Sequence, residues 1–270
     1  MIRASLPVIF SRGVVECSDD LFIEELVVEH GPTELLGRLF LRIDSELRQR
    51  GITMRFGTFQ ELMEVNRANQ DSWHPMFSTF NPETCRIDDT NGYCIFGCDS
   101  DGNVATTQVG RLFDWTQTTF FDEVAEMRIL YDDPDRDKRP GEEISVTAER
   151  TKGVSGRCAF LGAIWVRPDF RRKSLPALMG RLSRAYALTR WDIDYTTAMI
   201  TEPVHKGLMV KRLGTENTDW GFELRGCPLG DTTGSMIWAS ADEITRMCHD
   251  FLAKFDELMD HRLHYRRANE

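Results

Sequence analysis

The sequence predicts a mixed α/β fold in which helices pack against a β-sheet. Long amphipathic segments alternate with short apolar runs, and one dipeptide gives a clear hairpin signal. The third observation is an ordinary globular composition. The 270 residues are 41% hydrophobic and 28% charged, which excludes disordered, collagen-like and disulfide-scaffold proteins.

Charge and cysteine usage narrow the class of protein further. The formal net charge is −10, and such a chain lacks the surplus of lysine and arginine that phosphate contacts need, so we expect no nucleic-acid partner. No apolar run reaches the ~18 residues of a membrane span, and the first ten residues do not resemble a secretory signal. We therefore expect no membrane association and a cytoplasmic location. The 7 cysteines lack metal-site or disulfide-framework spacing, so we expect buried, reduced thiols and no metal.

Two amphipathic helices flanking a short strand are predicted after residue 30. Apolar residues from Thr33 to Arg50 fall at helical spacing, and Gly51 provides a stop. Ile52 to Gly57 is a strand candidate. Thr58 and Glu61 have the spacing of a capping box, which opens a helix that runs to about residue 70.

A β-hairpin is predicted in the middle of the chain. Gly92 to Asp99 and Asn103 to Trp115 are rich in strand-forming residues. The dipeptide Asp101-Gly102 between them is well suited to a tight turn. The next segment, Asp122 to Asp137, holds seven acids and two arginines, and we expect a loop or partial helix there.

Strands and helices alternate in the second half of the chain. Ala159 to Val166 is a short apolar run that predicts a buried strand, followed by a basic turn and a helix. Ile193 to Ile200 and Met236 to Ala239 are further strand candidates, with a short helix from Val204 to Leu213 between them. The apolar face of the helix after the basic turn consists of Leu175, Leu178, Met179, Leu182 and Ala185.

The last segment predicts a long helix. Ser240 and Glu243 form a second capping-box pattern, and apolar residues from Ile244 to Met259 trace one stripe. Either the chain's own core or a second copy must cover that stripe, so a homodimer is one of two expectations.

Positive charge is concentrated between Arg167 and Arg184, where six bases accompany one acid. A helix N-terminus presents unpaired N–H groups and a partial positive charge, so a basic turn that enters a helix can bind phosphate. The alternative is a solvated basic face, and composition alone does not decide between the two.

The segment Ala163 to Ala177 resembles the signature of the GNAT superfamily of N-acyltransferases, in which a strand ending in Val-x-Pro precedes Arg/Gln-x-x-Gly-x-Gly/Ala and a helix. The resemblance implies a GNAT-like mixed, mostly antiparallel sheet flanked by helices, spanning residues 52–240. Residues 1–51 would be an N-terminal helical extension, and residues 241–270 a C-terminal docking helix of the same domain.

The resemblance also implies acetyl-CoA or another acyl-CoA as co-substrate. The backbone of Ile164 and Val166 would receive the pantetheine arm. The loop that holds the pyrophosphate would use Arg171, Arg172, Lys173, Ser174 and Ala177.

Two glycines of the family pattern are replaced, by Ser174 and Pro176. Proline cannot donate an N–H, which removes one phosphate contact. Pro176 nevertheless suits the first turn of a helix and Ser174 suits an N-cap, so we expect the backbone path to survive.

At the catalytic positions, the sequence departs from the family pattern. Val210 stands where many members carry the tyrosine that acts as general acid, so His205 is the candidate substitute. Glu126 is the candidate base, with Glu149 as a second. The small pair at residues 162 and 163 stands where members often carry glutamate, and it predicts space for a bulky acyl chain or acceptor.

The expected function is an acetyltransferase-like N-acyltransferase that moves an acetyl or longer acyl group from a coenzyme A thioester to a small amine. The acidic segment Asp122 to Asp137 would attract a cationic acceptor, and Trp73, His74 and Phe77 would form a lid. One alternative is an acyl carrier protein-dependent N-acyl amino acid or acyl-homoserine-lactone-type synthase, in which the basic turn docks the acidic carrier. Another is a non-catalytic acyl-CoA-binding module of the same fold.

Overall fold

A computed structural model describes residues 22–207, 213–215, 217–228 and 230–267, with only the backbone described from residue 256 onward. Its helices are α1 (Thr33–Arg48), α2 (Phe59–Ala68), α3 (Phe120–Ala125), α4 (Pro134–Asp137), α5 (Leu175–Trp191), α6 (Glu202–Lys206) and α7 (Ala241–Arg267). Its strands are β1 (Thr53–Gly57), β2 (Gly92–Cys98), β3 (Val104–Trp115), β4 (Glu143–Val146), β5 (Gly156–Val166), β6 (Tyr195–Thr201), β7 (Asn217–Arg225) and β8 (Thr232–Ser240). Short 3₁₀ helices cover Ser78–Phe80, Glu149–Gly153 and Pro168–Phe170.

The described strands form one eight-stranded sheet in the order β1-β2-β3-β5-β6-β8-β7-β4. Neighbouring strands are antiparallel except for β5 and β6, which are parallel. A parallel pair needs a long crossover, and α5 supplies it. The predicted fold class, a mixed and mostly antiparallel sheet flanked by helices, is confirmed.

Each face of the sheet buries its own hydrophobic core. On one side, which we call the α5 face, α1, α5 and α7 bury a cluster that includes Leu39, Leu182 and Ile244. On the other side, which we call the aromatic face, the cluster includes Phe96 and Trp115. Because the first half of the α7 stripe belongs to the same cluster as α1 and α5, the chain's own core covers it.

Both predicted capping boxes form, one of them completely. At the start of α7, Ser240 Oγ accepts from Glu243 N–H at 3.2 Å, and Glu243 Oε2 accepts from Ser240 N–H at 2.8 Å. At the start of α2, Thr58 Oγ1 accepts from Glu61 N–H at 3.1 Å. The Glu61 carboxylate pairs with Arg55 instead of returning to the cap.

Several predicted elements differ in detail from the structure. The β2–β3 connection is longer than a two-residue turn, because Asp99 N–H donates to Asn103 O at 2.9 Å and only Gly102 has a positive φ, 80°. No strand was predicted at β4 or β7, which lie together at one edge of the sheet. Part of the predicted helix Val204 to Leu213 lies outside the described residues, and α6 ends at Lys206. None of the described helices is long and apolar enough to cross a membrane.

Candidate functional site

The parallel strands β5 and β6 separate partway along their length. They pair only where Cys158 to Phe160 face Tyr195 to Thr197. Beyond that point β5 still pairs with β3, and β6 with β8. Among the described residues, the edge of β5 from Leu161 to Val166 therefore has no strand partner on the β6 side. Its backbone groups can pair with an extended ligand.

A cleft of about 1270 Å³ occupies this gap, more than the ~300–1,000 Å³ of ordinary small-molecule sites. Side chains alternate between the two faces of a strand. The cleft is lined on the α5 face by Ala198 and Ile237, and on the aromatic face by Met199 and Trp238. The cleft therefore passes through the sheet from one face to the other.

A β-bulge shapes the β5 wall of the cleft. The register of β3 against β5 shifts between Thr107 and Val109, and Ala163 has a φ of 50°, a left-handed conformation that is uncommon for alanine. Thr107 Oγ1 donates to Ala163 O at 2.6 Å, and Gln108 Nε2 donates to Gly162 O at 3.3 Å. These side chains hold two carbonyls that the bulge displaces from the ladder.

Gly162 and Ala163, the small pair that predicted space for a bulky group, both line the cleft. A Cβ on Gly162 would lie 2.6 Å from the Phe80 ring, and Phe80 is buried. Phe80 thus packs directly against the Gly162 backbone and forms part of the cleft wall, and room for a bulky acyl chain or acceptor beside the small pair stays a prediction.

The basic turn keeps the backbone path that glycine favours without containing glycine. Arg172 and Ser174 have φ values of 68° and 58°, in the left-handed region that glycine adopts most readily. Ser174 occupies the N-cap position of α5, as expected, but its side chain makes no capping hydrogen bond. Its carbonyl accepts from Ala177 N–H at 3.2 Å, which gives the first turn a tight, 3₁₀-like form.

The cofactor-binding residues predicted from the sequence lie together, with one exception. Those that line the cleft are Ile164, Val166, Arg171, Arg172, Ser174 and Ala177. Lys173 does not line it: Lys173 Nζ donates to Arg50 O at 3.4 Å and lies 4.0 Å from the Phe170 ring centroid. Since Arg50 Nε donates back to Lys173 O at 3.0 Å, Lys173 anchors the turn to the end of α1.

The cleft also contains two arginines of α5, Arg181 and Arg184. Burial lowers the pKa of Arg184 to about 10, so the side chain stays charged at neutral pH. It donates to Leu213 O at 2.6 Å and to Thr215 Oγ1. No carboxylate in the described part of the chain forms an ion pair with it, so the cleft has a positive potential that favours an anionic ligand.

An aromatic loop forms the opposite wall. Trp73 stacks on Trp165 with ring centroids 5.3 Å apart, and Trp165 Nε1 donates to Ser72 Oγ at 3.2 Å. Arg171 Nη2 donates to Ser72 O at 3.2 Å, which joins this loop to the basic turn. Both His74 and Phe77, predicted as parts of a lid, line the cleft.

The predicted catalytic residues do not line the cleft. His205 Nδ1 lies 2.9 Å from Ser235 Oγ, and the His205 ring packs edge-on against Trp220. In the sequence of α6, His205 directly follows Pro203 and Val204, which do line the cleft. Glu126 is mostly exposed and pairs with Arg128. Glu149 likewise pairs with a lysine, at 2.6 Å. Val210 lies outside the described residues.

The acidic segment is also away from the cleft, since none of its residues lines it. Several of its carboxylates are paired with arginine, including Glu123 with Arg128 at 2.7 Å and Asp132 with Arg111 at 2.8 Å. The first pair lies within the segment and the second attaches it to β3, so an electrostatic role toward a cationic acceptor gains no support from its position.

Sequence reasoning missed several lining residues. Gln108, Met199 and Trp238 line the cleft, and no motif marks them. They belong to strands, where which side chains meet depends on register, and register between distant strands leaves no local signal. Burial of Arg184, in the middle of α5, was missed for a different reason: a charged residue on a helix is expected to be exposed.

No protein-family model matches this sequence, and no curated protein matches it. Solved structures resemble the fold only distantly. A spermidine N-acetyltransferase from Vibrio cholerae in complex with CoA and spermine is 11% identical, with a TM-score of 0.40 over 72% of this chain and 98% of that one. NAA60 from Arabidopsis thaliana in complex with acetyl-CoA is 8% identical, with a TM-score of 0.42 over 71% and 99%.

A third solved structure is described as a dodecameric spermidine N-acetyltransferase from Vibrio cholerae in an intermediate state. It is 10% identical, with a TM-score of 0.40 over 70% of this chain and 94% of that one. The two Vibrio cholerae proteins are N-acetyltransferases by name, and the Arabidopsis protein holds acetyl-CoA. Such distant likeness carries no weight for the function of this chain, which has to be argued from the cleft.

Proposed function

We propose that this protein is an N-acyltransferase that takes an acyl group from an acyl-CoA thioester and passes it to an amine. The observation that carries the proposal is the gap between β5 and β6, which opens beside the N-terminus of α5. A strand edge without a partner can pair with the amide groups of an extended arm. A basic helix N-terminus at its end can bind a diphosphate.

The residues of the cleft divide between these two parts of the ligand. Arg171 and Arg172 would bind the diphosphate together with backbone N–H groups of the turn. The backbone of Ile164 and Val166 would pair with the pantetheine arm. Lys173 would contribute indirectly, because it fixes the turn to α1.

The reaction itself requires little covalent chemistry from the protein. The amine nitrogen attacks the thioester carbonyl carbon, a C–N bond forms, the C–S bond breaks, and the proton lost by nitrogen balances the one gained by the thiolate. Holding the two reactants in attack geometry supplies much of the rate enhancement. Backbone N–H groups at the bulge around Ala163 would stabilise the developing oxyanion.

The proton acceptor we propose is His74. Among the described lining residues, the side chains with a basic atom that can accept a proton are His74 and Asp231. Asp231 Oδ1 already accepts from Gly226 N–H at 3.1 Å. A ring nitrogen of the His74 imidazole can take up the proton and later release it, which suits the role of general base. We assign Glu126 and His205 no direct contact with the reacting atoms.

The first test is calorimetric binding of CoA to the protein and to the double variant Arg171→Ala/Arg172→Ala. Loss of two charge-assisted contacts should weaken binding by at least about tenfold. Arg136→Ala is the matched control, because Arg136 is an exposed arginine of α4 that does not line the cleft. Unchanged affinity in the double variant would contradict the proposed role of the turn.

A second measurement separates catalysis from binding alone. Acetyl-CoA mixed with a panel of primary amines should release free thiol, and His74→Ala should slow that release while leaving CoA affinity unchanged. The absence of the predicted acid and base from the cleft lining favours one alternative, a non-catalytic acyl-CoA-binding module. Tight binding without thiol release from any amine or acyl donor would support that alternative.

A further inference from the structure

The half of the cleft on the aromatic face is apolar. Its walls are formed by Trp73, Phe77, Phe80, Trp165, Met199 and Trp238. The tryptophan stack and the bond from Trp165 to Ser72 hold these walls in place. A ligand group that enters this half from the bulge therefore meets aromatic rings and a thioether.

Charge in the cleft has one dominant sign. Its described ionisable lining residues are Arg171, Arg172, Arg181 and Arg184, with His74 and a single carboxylate, Asp231. That carboxylate already accepts a backbone N–H. A polycationic acceptor would lose its hydration here without gaining matching carboxylates, and burial of unpaired charge is costly.

We infer that the aromatic-face half of the cleft takes an uncharged, apolar group and not a polycationic amine. This inference rests on the proposed function and specifies its substrate class. The group is either an acyl chain longer than acetyl or the hydrocarbon or aromatic part of the acceptor. Both sources present the same chemistry to the walls, and they are separable by experiment.

The acyl source is tested by comparing CoA with octanoyl-CoA in calorimetry. Each methylene that leaves water strengthens binding, so even partial burial of the chain should make octanoyl-CoA bind at least about tenfold more tightly than CoA. Phe77→Ala should reduce that ratio severalfold. Phe121→Ala should leave it unchanged, because Phe121 is an equally half-buried phenylalanine outside the cleft.

The acceptor source is tested by thiol release from acetyl-CoA with octylamine, 2-phenylethylamine and spermidine. If the acceptor supplies the apolar group, kcat/KM for one of the first two should exceed that for spermidine at least tenfold, and Phe77→Ala should narrow the difference. Thermal melting of each variant verifies that it is folded.

The outcomes separate this inference from the proposed function. A preference for octanoyl-CoA or for the apolar amines supports the inference and identifies the source. CoA binding with no octanoyl preference, together with equal or better use of spermidine, overturns the inference and leaves the proposed function standing. Absence of any CoA or octanoyl-CoA binding overturns both.

Discussion

Two neighbouring side chains of β3 decide how β5 passes the cleft. Thr107 and Gln108 donate to the carbonyls of Ala163 and Gly162, as backbone N–H groups would in a regular ladder. The second acceptor of Gln108 Nε2, Val109 O, is also a carbonyl, which fixes the orientation of the amide. At the scale of single residues, the bulge is therefore held by side chains.

The residue-scale prediction concerns Thr107→Val. This change removes a buried hydroxyl donor and leaves Ala163 O without its partner, so the free energy of unfolding should fall by about 1–3 kcal/mol. If the bulge orients the thioester, kcat for thiol release should fall more than CoA affinity does. Urea unfolding, calorimetry and a thiol assay measure these three quantities.

Thr106→Val provides the control for that prediction. Thr106 is also fully buried and its Oγ1 donates to Trp165 O at 2.7 Å, beside the bulge and not within it. The Thr106→Val variant should lose a similar amount of free energy of unfolding, but its kcat for thiol release should fall less than that of Thr107→Val. Equal losses of kcat in both variants would show that the hydroxyl acts only through stability.

At the scale of elements, local sequence patterns succeed where the interaction is local. The capping box of Ser240 and Glu243, the strand at residues 53–57 and the apolar face of α5 each depend on residues a few positions apart. The start of α7 and the course of α5 are therefore readable from the sequence. Strands β4 and β7 were not, because neither contains a continuous apolar run: exposed and half-buried residues predominate in both.

The capping box of α7 predicts a pH dependence of stability. Burial of Glu243 opposes ionisation, but hydrogen bonds from Ser240 and Asn217 outweigh it and lower the pKa of the carboxyl below its ordinary 4.5. A carboxyl whose folded pKa is depressed stabilises the protein above the unfolded pKa. That contribution is lost as pH falls from 4.5 through the folded value.

Glu243→Gln should therefore flatten the acid limb of the stability curve. The free energy of unfolding, measured by urea titration at pH 7 and at several values below 4.5, should fall less steeply in the variant. Glu149→Gln serves as the control, because Glu149 is exposed and caps no helix through its side chain. A steeper acid limb in Glu243→Gln would mean that the folded pKa is raised instead.

At the scale of the whole molecule, the two cores on either side of one sheet bury five of the described cysteines, and Cys85 is buried outside them. Cys85, Cys94, Cys98, Cys158, Cys227 and Cys248 are all buried and none of these six forms a disulfide, so the expected burial is confirmed for them and their reduced state stays a prediction. Cys17 lies outside the described residues. Burial raises the pKa of Cys94 and Cys158, and it raises the pKa of Cys248 to about 12.

These thiols should react slowly in the native protein. At pH 8, iodoacetamide should leave the six described cysteines unmodified on a timescale that alkylates free cysteine completely, because the thiolate is the nucleophile and burial disfavours it. In urea all of them should react. Mass spectrometry after a timed quench distinguishes the sites. Rapid native modification of Cys94 or Cys158 would mean that the core opens there.

The sequence by itself determined the class of fold, the order of most helices and strands, and the basic turn at the start of α5. Each of these follows from periodicity, capping or local composition. Tertiary structure alone decided that β5 and β6 separate, that Phe80 packs against Gly162 and that the acidic segment lies away from the cleft. These features depend on contacts between residues tens of positions apart, and strand register sets such contacts without leaving a local pattern in the chain.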